Sequence, residues 1–152
     1  MCSIVFFAAC TSKEAPSDVG ETISVEQIQN LPQDDSWNNK LVSFEGYFGF
    51  CDMFNSFKAG SKAKLRITTE ADCKGDRLID AKIKIQLSSS SVIFGAAPRN
   101  QIVADGNINM ETLKVITDDY QELDYQKFIF SGNLIYDNGK YYLDNVTMHI
   151  IK

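Results

Sequence analysis

LVSFEGYFGF, residues Leu41 to Phe50, decides the fold. Read at period two, it sends Val42, Phe44, Gly46, Phe48 and Phe50 to one face, and Leu41, Ser43, Glu45, Tyr47 and Gly49 to the other. That is a strand with one strongly aromatic face. Glycine inside a strand forfeits packing and ordering entropy, so Gly46 and Gly49 are out of place in a flat strand. They suit a strand that bends, as the first strand of a small barrel does where it serves both sides of a closed sheet. The expected fold is mainly β: a small barrel of five or six strands with one short N-terminal helix.

Working outward, the helix lies just before this strand. Ser24 is its N-cap, Gln27 stands where it completes a capping box, Ile23 and Ile28 form a hydrophobic staple, and Pro32 ends it. Trp37 reads as a core lid beside the strand. Downstream, Lys64 to Thr69 alternates briefly, and Leu78 to Leu87 alternates cleanly, with Ile79, Ala81, Ile83, Ile85 and Leu87 set against Asp80, Lys82, Lys84 and Gln86. From Ser88 to about Asn109 the residues are turn chemistry (Gly95, Pro98, Asn100, Gly106, Asn107), a long excursion of the kind in which binding often resides. Leu113 to Thr117 is a further strand. The chain closes with a hairpin, Lys127 to Tyr136 and Tyr141 to Ile150, turned on Asn138-Gly139, both of which tolerate positive φ.

ISVEQIQ leading into NNKLVSFEGYFGF, and the closing QKFIFSGNLIYDNGKYYLDNVTMHI, resemble the oligonucleotide/oligosaccharide-binding (OB) fold, and more narrowly its small lipid-anchored members in Bacteroidetes-type bacteria. The resemblance covers residues 23–152 and specifies shape rather than chemistry. It implies binding through a sheet face and adjoining loops. It brings no shared catalytic set, so no catalytic residue is assigned and the chain is not expected to be an enzyme.

The N-terminus has a different composition. Ile4 to Ala9 is an apolar run of six residues, far short of the roughly 20 that span a bilayer. It reads as the remnant of a signal peptide over residues 1–9. Phe7-Ala8-Ala9-Cys10 resembles the lipobox of bacterial lipoproteins, which implies lipidation of Cys10 and an outer-membrane lipoprotein facing the periplasm or the cell surface. Thr11 to Thr22 is small, polar and acidic, the composition of a flexible tether between anchor and domain. With Cys10 acylated and Cys2 removed, Cys51 and Cys73 remain, 22 positions apart, and an even remainder in an oxidising compartment reads as one disulfide. Geometry sets a condition on it. If Lys64 to Thr69 is the direct hairpin partner of the strand ending at Phe50, Cys73 falls near the start of that strand, far from Cys51; either the segment between them is not a simple hairpin or both cysteines are free.

The chain carries 15 Lys and Arg against 20 Asp and Glu, a net −5, which argues against nucleic acid as its partner. Its one histidine, His149, reads as a solvent-facing residue on the last strand. One histidine and two bridged cysteines cannot make an N/S zinc site, and no metal or cofactor is expected. Asp118, Asp119, Glu122 and Asp124 lack the spacing of a calcium loop and read as a solvated turn. The local balance is opposite between Lys58 and Lys84, a net +4 within 27 residues. Lys64, Arg66, Lys82 and Lys84 take the outward positions of their strands; if those strands are neighbours, the four form one basic strip able to receive an acidic glycan, an anionic headgroup or an acidic protein. Phe54 and Phe57, in the polar and aromatic loop from Cys51 to Lys62, are a second candidate contact. The expected function is a lipid-anchored, non-enzymatic binding module of the bacterial envelope, with a saccharide, peptide or protein ligand. The alternative is a structural or assembly subunit of an outer-membrane complex, docking through those two phenylalanines.

Overall fold

The structure, a computed structural model, describes residues 14–51, 60–87, 99–105 and 108–152. Nine strands and one helix lie among them: β1 (Glu21–Thr22), α1 (Val25–Gln29), β2 (Leu41–Gly49), β3 (Lys62–Thr68), β4 (Arg77–Leu87), β5 (Gln101–Ala104), β6 (Lys114–Ile116), β7 (Glu122–Asp124), β8 (Phe128–Asp137) and β9 (Lys140–Ile150).

Five of the strands close on themselves. β2 pairs antiparallel with β3, β3 with β4, β4 runs parallel beside β9, β9 pairs antiparallel with β8, and β8 returns to β2. This is a closed OB-like barrel. β2 makes the closure: it pairs with β8 from Leu41 through Gly46, then with β3 from Tyr47 through Gly49. Val42, Phe44 and Phe48 point into the barrel and are buried with Phe128, Phe130, Leu65, Ile67, Ile83 and Met148. Gly46 sits at the changeover for want of room. A Cβ there would lie 2.6 Å from Ile67 Cγ2 and 3.1 Å from the Thr68 carbonyl oxygen. Gly46→Val is expected to cost about 2 kcal/mol by overpacking, read as a shift of the urea midpoint; an unchanged midpoint would mean that the β2–β3 corner yields freely.

α1 starts as its sequence predicts. Gln27 N donates to Ser24 Oγ at 3.1 Å and Ser24 N to Gln27 Oε1 at 2.8 Å, while Ile23 and Ile28 are both buried. Asn138 and Gly139, at φ 50° and 79°, form the tight turn between β8 and β9.

The strand count exceeds the five or six expected because four short strands lie outside the barrel. Gln101–Ala104, within the stretch read as turn chemistry, is β5 and runs parallel to β4, with β6 and β7 added beyond it. Its QIVA run is too short to stand out among flanking Asn and Gly. Glu21–Thr22, in the stretch read as a tether, is β1, parallel to Val42 and Ser43 of β2. The preceding segment is held too: Gly20 N donates to Ser131 Oγ, Ser43 Oγ to the Gly20 carbonyl, and Ser17 to Asp118. Polar residues here satisfy polar groups of the barrel wall, which composition alone cannot distinguish from solvation.

Cys51 and Cys73 form a disulfide. β3 is the direct partner of β2, yet the chain leaves the ladder after Thr68 and doubles back through Asp72, Cys73 and Gly75, all at positive φ. Cys73 is thereby returned to the end of β2 rather than carried to its start. Gly49 makes the space, since a Cβ on it would meet Cys73 Sγ at 2.6 Å and Cys51 Sγ at 3.0 Å. Cys10, Phe54 and Phe57 lie outside the described residues, as do residues 1–9, most of the Cys51 to Lys62 loop and all of residues 88–98.

Candidate functional site

β3 and β4 are neighbours, and their register sets Lys62 opposite Lys84, Lys64 opposite Lys82, and Arg66 opposite Asp80. The alternation of each strand buries Ala63, Leu65, Ile79, Ala81 and Ile83 inside, which leaves the charged set on the outer face. Lys64, Arg66, Lys82 and Lys84 therefore do form one strip. Like charges directly opposite on a sheet repel, so this arrangement costs stability unless anions offset it.

The third strand of the face contributes what the sequence did not reveal. Asp80 of β4 pairs with Tyr142 of β9, and that parallel register lays Tyr142 beside the lysines. Lys82 Nζ lies 4.3 Å and Lys64 Nζ 4.7 Å from the Tyr142 ring centroid, and Lys82 Nζ donates to the Tyr142 hydroxyl at 3.2 Å. That hydrogen bond is the largest influence on Lys82 and raises its pKa; burial opposes it, and the charges of Tyr142, Asp144 and Asp137 add to it. Lys62 bonds Asp144 at 3.1 Å and Arg77 bonds Asp80 at 2.7 Å. Burial pushes the Asp144 carboxyl up, but the Asn145 amide, Lys62 and Lys82 together outweigh it and hold the group below its ordinary range. Among the described residues, Lys64, Lys82 and Lys84 have no carboxylate within salt-bridge distance. A cleft of about 540 Å³ opens at the edge of the strip. Lys64, Tyr142, Arg77 and Asp80 border it on the sheet side, Asp137, the Asn138-Gly139 turn and Lys140 at the hairpin, and Gln29, Leu31 and Gln33 at the end of α1.

Of the acidic cluster, Asp119, Glu122 and Asp124 are exposed as expected, but Asp118 is not solvated. Asp118 is 1% exposed and accepts from Ser17 N (2.5 Å), Ser17 Oγ (2.9 Å) and Asn100 Nδ2 (2.7 Å), with Arg99 Nε at 3.7 Å. Burial raises its pKa, and the bonds from Asn100 and Ser17 and the Arg99 charge outweigh burial and hold it low. Lys114 pairs with Asp124 at the surface. His149 is half-buried rather than solvent-facing, its Nε2 2.7 Å from Thr147 Oγ1. Burial lowers its pKa below the ordinary 6.5 although the Asp118 and Asp119 carboxylates pull the other way. The folded imidazole thus resists protonation more than the unfolded one, so its contribution to stability is present above pH 6.5 and declines as pH falls through that value. His149→Gln is expected to flatten the thermal midpoint between pH 7.5 and 5 relative to wild type; parallel profiles would contradict this.

Trp37 packs against the core with Lys40 Nζ 3.9 Å over its ring, as expected of a lid. No group of three or more metal-ligating side chains occurs among the described residues. No protein-family model, curated protein or solved structure matches this chain, so its chemistry is read from its own geometry.

Proposed function

We propose that this protein is a lipid-anchored, non-enzymatic binding module of the bacterial envelope that receives an anionic saccharide, peptide or protein on the outer face of β3, β4 and β9. The observation that carries the reading is that Lys64 and Lys82 flank Tyr142, with Lys64 and Tyr142 at the mouth of a cleft, and that these two lysines and Lys84 have no carboxylate within salt-bridge distance among the described residues. Opposed lysines repel, and their contacts with Tyr142 leave the positive charge in place, so a ligand that neutralises them accounts for the arrangement. In the OB fold, the face of the second and third barrel strands and the loop between the last two are the places where ligands lie; here those are β3, β4 and the Asn138-Gly139 turn. The Cys51–Cys73 disulfide supports an oxidising compartment, in keeping with export and acylation at Cys10. The reading as an assembly subunit rests on Phe54 and Phe57, outside the described residues, and no described residue favours it.

A net charge of −5 makes the binding test diagnostic. The full chain is expected to be retained on a carboxylate resin at pH 7 and low salt against its net charge, and Lys64→Glu with Lys82→Glu to elute in the void. Equal elution of the two would overturn the binding reading. For the anchor, mass spectrometry of protein from the membrane fraction is expected to find a mature chain beginning at acylated Cys10; an unmodified Cys10 in a soluble chain would overturn that part.

A further inference from the structure

Resting on the binding face just proposed, we infer that its ligand is an acidic oligosaccharide, with carboxylate or sulfate groups on Lys64 and Lys82, a sugar ring against Tyr142, and the chain continuing into the cleft beside the β8–β9 turn. Four features select this class. Lys64 and Lys82 face each other across β3 and β4, so one anionic group between them meets two ammonium donors at once. Both ammonium groups lie within 4.7 Å of the Tyr142 ring centroid, which sets an aromatic surface beside a cationic one, the pairing that an acidic sugar presents in reverse through its C–H face and its charge. The cleft, about 540 Å³, lies in the range of roughly 300 to 1,000 Å³ typical of small-ligand sites. Its walls carry Gln29, Gln33 and Asn138, whose amides both donate and accept, as sugar hydroxyls require, and the carboxylates of Asp80 and Asp137 there are set against the cations Arg77 and Lys140.

Other anions fit less well. The exposed large hydrophobic residues, Val19, Val25 and Leu41, all lie off β3, β4 and β9, so among the described residues this face offers nothing to insert into a bilayer. Beyond the strip the chain is acidic, which repels a long polyanion and favours a short one.

The test is calorimetric titration of the full chain with tetragalacturonate, a heparin-derived tetrasaccharide, neutral maltotetraose, tetraglutamate, and phosphatidylglycerol vesicles. Binding of one or both acidic tetrasaccharides is expected, and the two arms separate carboxylate from sulfate recognition; maltotetraose should not bind. Lys64→Gln with Lys82→Gln should weaken that binding by at least about ten-fold, Tyr142→Ala should weaken it while Tyr142→Phe largely keeps it, and Lys114→Gln, on β6, should leave it unchanged. Thermal midpoints of all variants show that each is folded. The inference is overturned if maltotetraose binds as well as the acidic sugars, if the lysine variant binds like wild type, or if only vesicles bind. If tetraglutamate alone binds and depends on Lys64 and Lys82, the saccharide class is wrong while the binding face stands; if no probe binds, both fall.

Discussion

Asp118→Ala is expected to destabilise the protein by about 4 kcal/mol, because removing one member of a buried charged network strands the others. The carboxylate ties three separate parts of the chain: Ser17 of the N-terminal arm, Arg99 and Asn100 before β5, and β9, through Asn100 Oδ1, which accepts from Met148 N at 2.9 Å. Its own amide also donates to the Met148 carbonyl. Without the carboxylate, the Ser17 and Asn100 donors lose their acceptor, while the Arg99 guanidinium keeps Glu14 at 3.0 Å and the Ala15 carbonyl at 2.6 Å. Chemical denaturation of Asp118→Ala against wild type is the measurement, and a loss below about 1 kcal/mol would show that water replaces the network at little cost. The same group sets the acid limb of stability. Its folded pKa lies below the ordinary 3.8, so its contribution is complete above that value and is lost as pH falls through the lower folded pKa. Asp118→Asn should therefore be less stable at neutral pH and should lose less on acidification below pH 3.8 than wild type does.

Replacing both cysteines, Cys51→Ser with Cys73→Ser, is expected to lower stability by about 3 kcal/mol, the loop-closure figure for partners this far apart in sequence. The separation of 22 takes in β3 and the turn that doubles back from it. The bridge fixes that turn, in which Asp72 and Cys73 both hold positive φ without being glycine. Released from it, the turn loses its tie to the end of β2, and Gly49 opens a gap where the sulfurs lay. Reduction of the wild-type protein should reproduce the loss. Equal urea midpoints for oxidised wild type and the double variant would remove the disulfide from the account of stability.

How far these features were legible depends on the range of the interaction. The capping box of Ser24 and Gln27, the Asn138-Gly139 turn and the inward set of β4 are local patterns, and the structure carries each where the sequence places it. Gly46 and Gly49 correctly implied a strand serving two partners, although their reason is space for Ile67 and for the sulfurs. What stayed hidden is long-range. β1, β5 and β7 are two to four residues long and acquire strand form only from their neighbours. Asp118 resembles its exposed neighbours Asp119 and Glu122 until Ser17, 101 positions away, is laid against it. Tyr142 is one of two adjacent tyrosines, and only the parallel β4–β9 register says which of them meets the lysines.

The central claim, that β3, β4 and β9 form an anion-receiving face, is tested most directly by recording amide NMR spectra of the full chain during titration with tetragalacturonate. The account predicts the largest shifts at residues 62–66, 80–84 and 140–144, abolished in Lys64→Gln with Lys82→Gln. Shifts centred on β5 to β7, or shifts that persist in that variant, would contradict it.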